Sequence, residues 1–293
     1  VEPPTPHSMV CLQAIARGYI RNRRLSEASR LLKTLEKKDP NNVQTLWLIA
    51  LNADLQALDG RAEEYLLKVI AIDPERDKAR FRLANVCERD NQHRNSRKHL
   101  EMILDSPWVH KPDVLLGLTR ACVELNDLQH ARKYANELLQ MLPLAPIVIV
   151  EQGNVYLAEG NIKEAEAHAR QAVRLKPGWR EPRELLVKCL RQRGPPELEK
   201  QVEELQRLRD LTEKIRTLKT IKIPEDPNNA DLHYQLGALQ IQMSDQGEGI
   251  REIHRALEIE PDHQPSHKFL ADYYKKKGNS QREAFHRQRI TQP

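Results

Sequence analysis

Four cysteines in 293 residues, at positions 11, 87, 122 and 189 with no CxxC pair, are far too few for a disulfide-built scaffold. Aromatic residues are scarce: three Phe, three Trp and seven Tyr make up 4% of the chain. Glycine is also sparse, at eleven residues, which disfavours strand-rich and collagen-like architectures. No run approaches the ~18–20 apolar residues that a membrane-spanning helix requires, and mean hydropathy is −0.69. An excess of one charge is missing too. Lys plus Arg number 47 against 42 Asp plus Glu, a net charge of +5, and the signs interleave along the chain. A nucleic-acid binder gathers positive charge on one face or tail; interleaved signs describe solvated helix surfaces.

Catalytic signatures are missing as well. There is no P-loop, GxGxxG, GxSxG or HExxH motif, so the sequence reads as non-catalytic, with no catalytic residue and no cofactor. The chain starts at Val1 with a Pro-rich lead, Glu2 to Pro6, which suggests that a tag, signal or anchor once preceded it.

What the sequence does contain is a rhythm of prolines. Pro40, Pro74, Pro107, Pro143, Pro177, Pro227 and Pro261 each follow a helical pattern, at intervals of 34, 33, 36, 34, 50 and 34 residues. Periods of this size mark arrays of helix pairs. Within each period a small residue recurs at the eighth and twentieth positions, as in Ala16 and Ala28, Ala50 and Ala62, or Gly153 and Ala165. Small residues there let two helices approach closely, and the proline ends the second helix. Cys87 and Cys122 fall at the eleventh position, where Tyr19, Tyr156 and Tyr274 stand elsewhere, so they read as core residues.

This pattern resembles the tetratricopeptide repeat from about Met9 to the end of the chain. The resemblance implies an all-α, right-handed α-solenoid of about eight helix pairs, starting near Met9, Val43, Asp77, Pro112, Pro146, Arg180, Ala230 and Gln264. The expected organisation is a lead over 1–8, then an array over 9–195 holding pairs one to five and the first helix of pair six. An elongated helix and Pro-containing loop follow over 196–229, and C-terminal pairs with a polar cap over 230–293. The 50-residue interval supplies the elongated helix, about 197–220, with an apolar stripe at Leu198, Val202, Leu205, Leu208, Leu211, Ile215, Leu218 and Ile221. Pro224 and Pro227 are expected to stop it. The stripe serves either packing within the chain or a dimer seam.

Such arrays bind extended peptides or partner helices in a groove lined by their first helices. The resemblance therefore implies that the second, fifth, sixth, ninth, twelfth and thirteenth repeat positions meet the partner. They include Trp47, Leu48, Leu51, Lys78, Phe81, Arg82, Asn85, Arg89, Val150 and Asn154. An aromatic beside aliphatics and cations suits an apolar peptide with an acidic group. The alternative is that these large residues only bridge adjacent pairs. The family's carboxylate clamp is matched only by Lys78 and Arg82; Gln13, Arg17 and Leu48 stand where Lys, Asn and Asn are required.

Two other readings stay open. His263, His267 and His286 lie close enough in sequence to suggest a metal- or haem-associated carrier, although Pro265 separates the first two and no CxxCH is present. An RNA-binding helical repeat is disfavoured by groove carboxylates at Asp54, Glu88, Glu124, Glu151, Glu181 and Glu184, which repel phosphate. The expected partner is thus another protein rather than nucleic acid. The C-terminal third, with its run Pro261, His263, Pro265 and His267, resembles bacterial envelope proteins of this family that carry an N-terminal membrane anchor. Envelope and cytoplasm both remain possible locations.

Overall fold

The computed structural model describes residues 6–194 and 196–290, so most of the Pro-rich lead and Pro195 lie outside the described residues. The protein is all-α, with no strand among the described residues, and forms two compact units, 1–161 and 162–293.

The first unit stacks four helix hairpins and a closing helix: α1 (Pro6–Arg21), α2 (Leu25–Lys38), α3 (Val43–Leu55), α4 (Asp59–Ile72), α5 (Asp77–Arg89), α6 (His93–Glu101), α7 (Lys111–Glu124), α8 (Leu128–Met141) and α9 (Pro146–Ala158). The first helices start within one residue of the expected positions from α3 onward. Each hairpin closes through the small pair read from the sequence: Ala16 and Ala28, Ala50 and Ala62, Ala84 and Ser96, Thr119 and Ala131 are all at most 1% exposed. Around them Leu32, Leu35, Leu46, Leu66 and Leu83 complete one apolar cluster, and Leu115 and Leu118 belong to a second.

The turn inside each hairpin repeats as strictly as the prolines. The fifteenth position carries a positive φ every time: Arg23, Ala57, Asn91, Asn126 and Gly160, then Gly194, Ser244 and Gly278 in the second unit. A left-handed residue there reverses the chain tightly. Three glycines at this position hinted at the rule; five other residues, tolerating the conformation at some cost, concealed it.

Helix α6 ends early, at Glu101, and residues 102–110 turn irregularly, as the 33- and 36-residue intervals implied. Ser106 explains the detour. Its hydroxyl donates to Asp77 at 2.5 Å and accepts from the Trp108 backbone at 3.1 Å, and Pro107 restricts Ser106 to extended backbone.

The second unit holds α10 (Ile162–Leu175), α11 (Arg180–Arg193), the long α12 (Leu198–Thr217), α13 (Ile223–Glu225), α14 (Ala230–Gln242), α15 (Gln246–Ile259), α16 (Gln264–Lys276) and α17 (Ser280–Arg287). A π turn over Leu218–Lys222 joins α12 to α13, so helical backbone continues past the expected end near residue 220. Pro224 does not stop it but lies inside the last turn. Lacking an N–H and crowding the carbonyl four residues back, Pro224 is tolerated because the preceding turn widens to i→i+5 bonds, with the Ile223 N–H donating to Leu218 O. The apolar stripe of α12 is largely buried against α11 and α14: Leu205, Leu208, Leu211 and Leu218 are covered, while Val202 and Ile221 are exposed.

Candidate functional site

Among the first helices, the starts of α3, α14 and α16 are capped by a recurring device. In Asp39-Pro40-Asn41-Asn42 the Asn42 side chain accepts from the Thr45 N–H at 3.1 Å and donates to Asp39. Asp226-Pro227-Asn228-Asn229 repeats it, with Asn229 accepting from Leu232 at 3.2 Å and donating to Asp226. In the last pair His263 takes the asparagine's place, its Nδ1 accepting from the Ser266 N–H at 3.3 Å. The loop carbonyls are satisfied by the fourth residue of the next helix: Arg80 donates to Pro74 O, His233 to Pro227 O, and His267 to Pro261 O.

These bonds decide what the histidines do. His263 is buried as a helix cap, and its Nε2 meets Asp231 at 3.0 Å. His267 and His286 do come together, Nδ1 to Nδ1 at 2.9 Å. The Pro261 carbonyl can only accept, so a neutral His267 carries its proton on Nε2, and His286 Nδ1–H must donate to His267 Nδ1. His286 also stacks on Tyr274 at 5.7 Å, and burial pushes its pKa down to about 4. Both ring nitrogens of His263 are thus engaged elsewhere, and among the described residues no three His, Cys, Asp or Glu side chains form a metal-binding group. Cys87, Cys122 and Cys189 are buried, with burial raising each thiol to about 11; Cys11 is exposed.

In the first unit, the sequence-derived groove residues separate into three kinds. Leu48 and Val150 are 1% and 4% exposed: both are packing residues beneath the face, with no surface left for a partner. Arg82 and Arg89 are only partly covered but are already engaged. Arg82 pairs with Asp54 at 2.6 Å, and Arg89 pairs with Asp54 at 2.6 Å and Asp59 at 2.5 Å. The two carboxylates come from the preceding hairpin, so this network ties neighbouring hairpins together, which is the bridging role weighed above. Asn154 likewise donates to the buried Glu151, which Arg120 also holds at 2.6 Å.

The third kind is available. Trp47, Leu51 and Phe81 are half-buried on α3 and α5, and Lys78 and Asn85 are exposed without an ion-pair or hydrogen-bond partner among the described residues. The Trp47 ring lies under two guanidinium groups of the next hairpin, Arg76 at 5.1 Å and Arg82 at 5.8 Å from its centroid. Those contacts fix the indole on the face rather than letting it fold into the core.

In the second unit a pocket of about 500 Å³ lies between the end of α12, its π turn and α14. Tyr234, Gln235 and Ala238 line it from α14. They occupy the fifth, sixth and ninth positions of the pair beginning at Ala230, so the positional rule that selects Trp47 and Phe81 reaches this pocket too. Its other wall, from Glu213 to Lys222, has no counterpart in the repeat and is supplied by the insertion.

Among the described residues no helix is long and apolar enough to cross a membrane. Residues 116–179 match a family model described as tetratricopeptide repeat. No curated protein matches the chain in sequence. Among solved structures, a tetratricopeptide repeat protein from Parabacteroides merdae ATCC 43184 superposes with a TM-score of 0.59 at 12% identity, covering 96% of this chain and 99% of that one. PilW, a type IV pilus biogenesis factor, gives 0.57 at 16% identity over 69% and 94%, and MamA gives 0.52 at 19% identity over 58% and 92%. At these identities the likeness concerns the fold. Hairpins closed by small pairs, a left-handed residue at the fifteenth position of each pair and the match over 116–179 agree: the chain has the fold of tetratricopeptide-repeat proteins, and residues 116–179 match that family's model.

Proposed function

We propose that this protein is a non-catalytic scaffold that holds a segment of a partner protein on the first-helix face of the 1–161 unit. The observation that supports this reading most directly is the Trp47 ring, kept half-exposed under Arg76 and Arg82 beside Leu51 and Phe81. A rigid aromatic with apolar neighbours is the composition of an interaction hot spot. Preformed helices lower the ordering cost of binding, because the receiving surface does not rearrange.

The charge around this strip refines the expected partner. Asp54 and Asp59 already match Arg82 and Arg89, so an incoming carboxylate meets Lys78, an exposed cation at the start of α5 without an ion-pair partner among the described residues. The partner segment is therefore mainly apolar with at most a local acidic group. The test is quantitative affinity capture from native lysate with wild type, Trp47→Ala and Lys78→Glu. Arg82 is unsuitable as a probe, since its removal also strips Asp54 of a partner. The partners retained by wild type should fall severalfold with Trp47→Ala, with native helicity of the variant verified by far-UV circular dichroism. Identical capture by all three proteins refutes the proposal.

A further inference from the structure

The insertion that makes α12 long also builds something the repeat lacks. The pocket beside α14 has an apolar lining of buried Leu218 and half-buried Tyr234, Ala238 and Leu239. Tyr234 is braced from behind by His263 at 5.6 Å and Phe269 at 6.4 Å, so this wall is fixed. The mouth carries Lys214 and Lys222, both exposed and without an ion-pair partner among the described residues. The single carboxylate at the mouth, Glu213, is matched by Arg216 at 2.7 Å. The mouth is therefore net positive. The π turn contributes directly: Leu218 and Lys222 are its first and last residues, and π turns inside helices concentrate at functional sites.

From this juxtaposition we infer that the pocket is a second peptide site, receiving a large apolar side chain flanked by carboxylates that engage Lys214 and Lys222. A volume of about 500 Å³ accommodates an aromatic or long aliphatic side chain with part of its backbone. The unpaired lysines select acidic flanks and make association salt-dependent. This site is separate from the Trp47 face and does not depend on it.

The test uses the whole chain and a phage-displayed random peptide library, followed by anisotropy measurements on the enriched peptides with a fluorescein label. The expected consensus is one Phe, Trp, Leu or Met with Asp or Glu on both sides. Lys214→Glu and Lys222→Glu should each weaken binding by roughly tenfold or more, and affinity should fall steeply with added salt. Ala238→Trp, which fills the pocket, should abolish binding. The two lysine changes lie on the exposed mouth, so they decide the matter even if Ala238→Trp fails to fold. Trp47→Ala should leave these peptides bound, which separates this site from the face proposed above. Enriched peptides without acidic residues, or affinities unmoved by the lysine substitutions, overturn the inference. So does a concentration-dependent dimer that Lys222→Glu disrupts, since the occupant would then be a second copy.

Discussion

Two glycines in one helix should respond to the same substitution with opposite signs. Gly249, at the twentieth position of its pair, faces Gly237 at the eighth. A Cβ built on Gly249 falls 2.6 Å from Gly237 O and 2.5 Å from Ile241 Cγ1; one built on Gly237 falls 2.5 Å from Gly249 O. The Ile241 side chain can shift, but the carbonyl can move only if α14 and α15 separate. Gly→Ala in a helix gains up to about 1 kcal/mol of propensity, whereas overpacking a tight contact costs about 1–3 kcal/mol. Gly249→Ala should therefore lose roughly 1–2 kcal/mol. Gly247, two residues earlier in the first turn of α15, has nothing within 4 Å of its Cβ position, so Gly247→Ala should gain a few tenths up to about 1 kcal/mol. In the double variant Gly237→Ala/Gly249→Ala, the second change meets a hairpin already opened by the first, so the combined loss should be less than additive. Urea denaturation by far-UV circular dichroism measures these variants together with Gly237→Ala alone, and amide exchange in α14 and α15 locates the loosening. If Gly249→Ala stabilises as much as Gly247→Ala, the close-approach explanation of the eighth and twentieth positions is wrong.

Other outcomes follow from the same geometry. Ala57 holds a φ of 56°, so Ala57→Gly should raise the denaturation midpoint, by up to about 1 kcal/mol of stability; a loss would show that the turn does not need its left-handed residue. His286 stays neutral in the fold down to about pH 4, while its unfolded form takes up a proton below about 6.5. Stability of the terminal hairpin should therefore be full above that value and decline as pH falls through this window, by at most about 1.4 kcal/mol per unit. Exchange of α16 and α17 amides checks this, and His286→Phe should flatten the dependence. A thiol reagent should modify Cys11 alone in the native protein and all four cysteines in denaturant; rapid labelling of Cys87, Cys122 or Cys189 would mean that the hairpins open readily.

Much of the fold could be read from single residues. Prolines and small residues act locally: one ends a helix, the other sets how near two helices come, and neither effect needs a distant partner. The same positional rule could have found Tyr234, Gln235 and Ala238, because they recur in register with Trp47 and Phe81. Other features gave no such signal. Nothing in the spacing of Asp54, Asp59, Arg82 and Arg89 shows that they neutralise one another, since the pairs join residues about 30 positions apart in sequence. His263, His267 and His286 appeared as one cluster until the fold made His263 a helix cap and joined only His267 to His286.

The sequence by itself determined the hairpins and their order, because those depend on where helices end and on the size of one side chain at a time. The tertiary structure alone decided which surface is still available. Burial removes Leu48 and Val150 from the face, ion pairs occupy Arg82 and Arg89, and the end of α12 encloses a pocket with two free lysines. Charge neutralisation and burial are relations between residues distant in the chain, and only the folded packing brings those residues within range of each other.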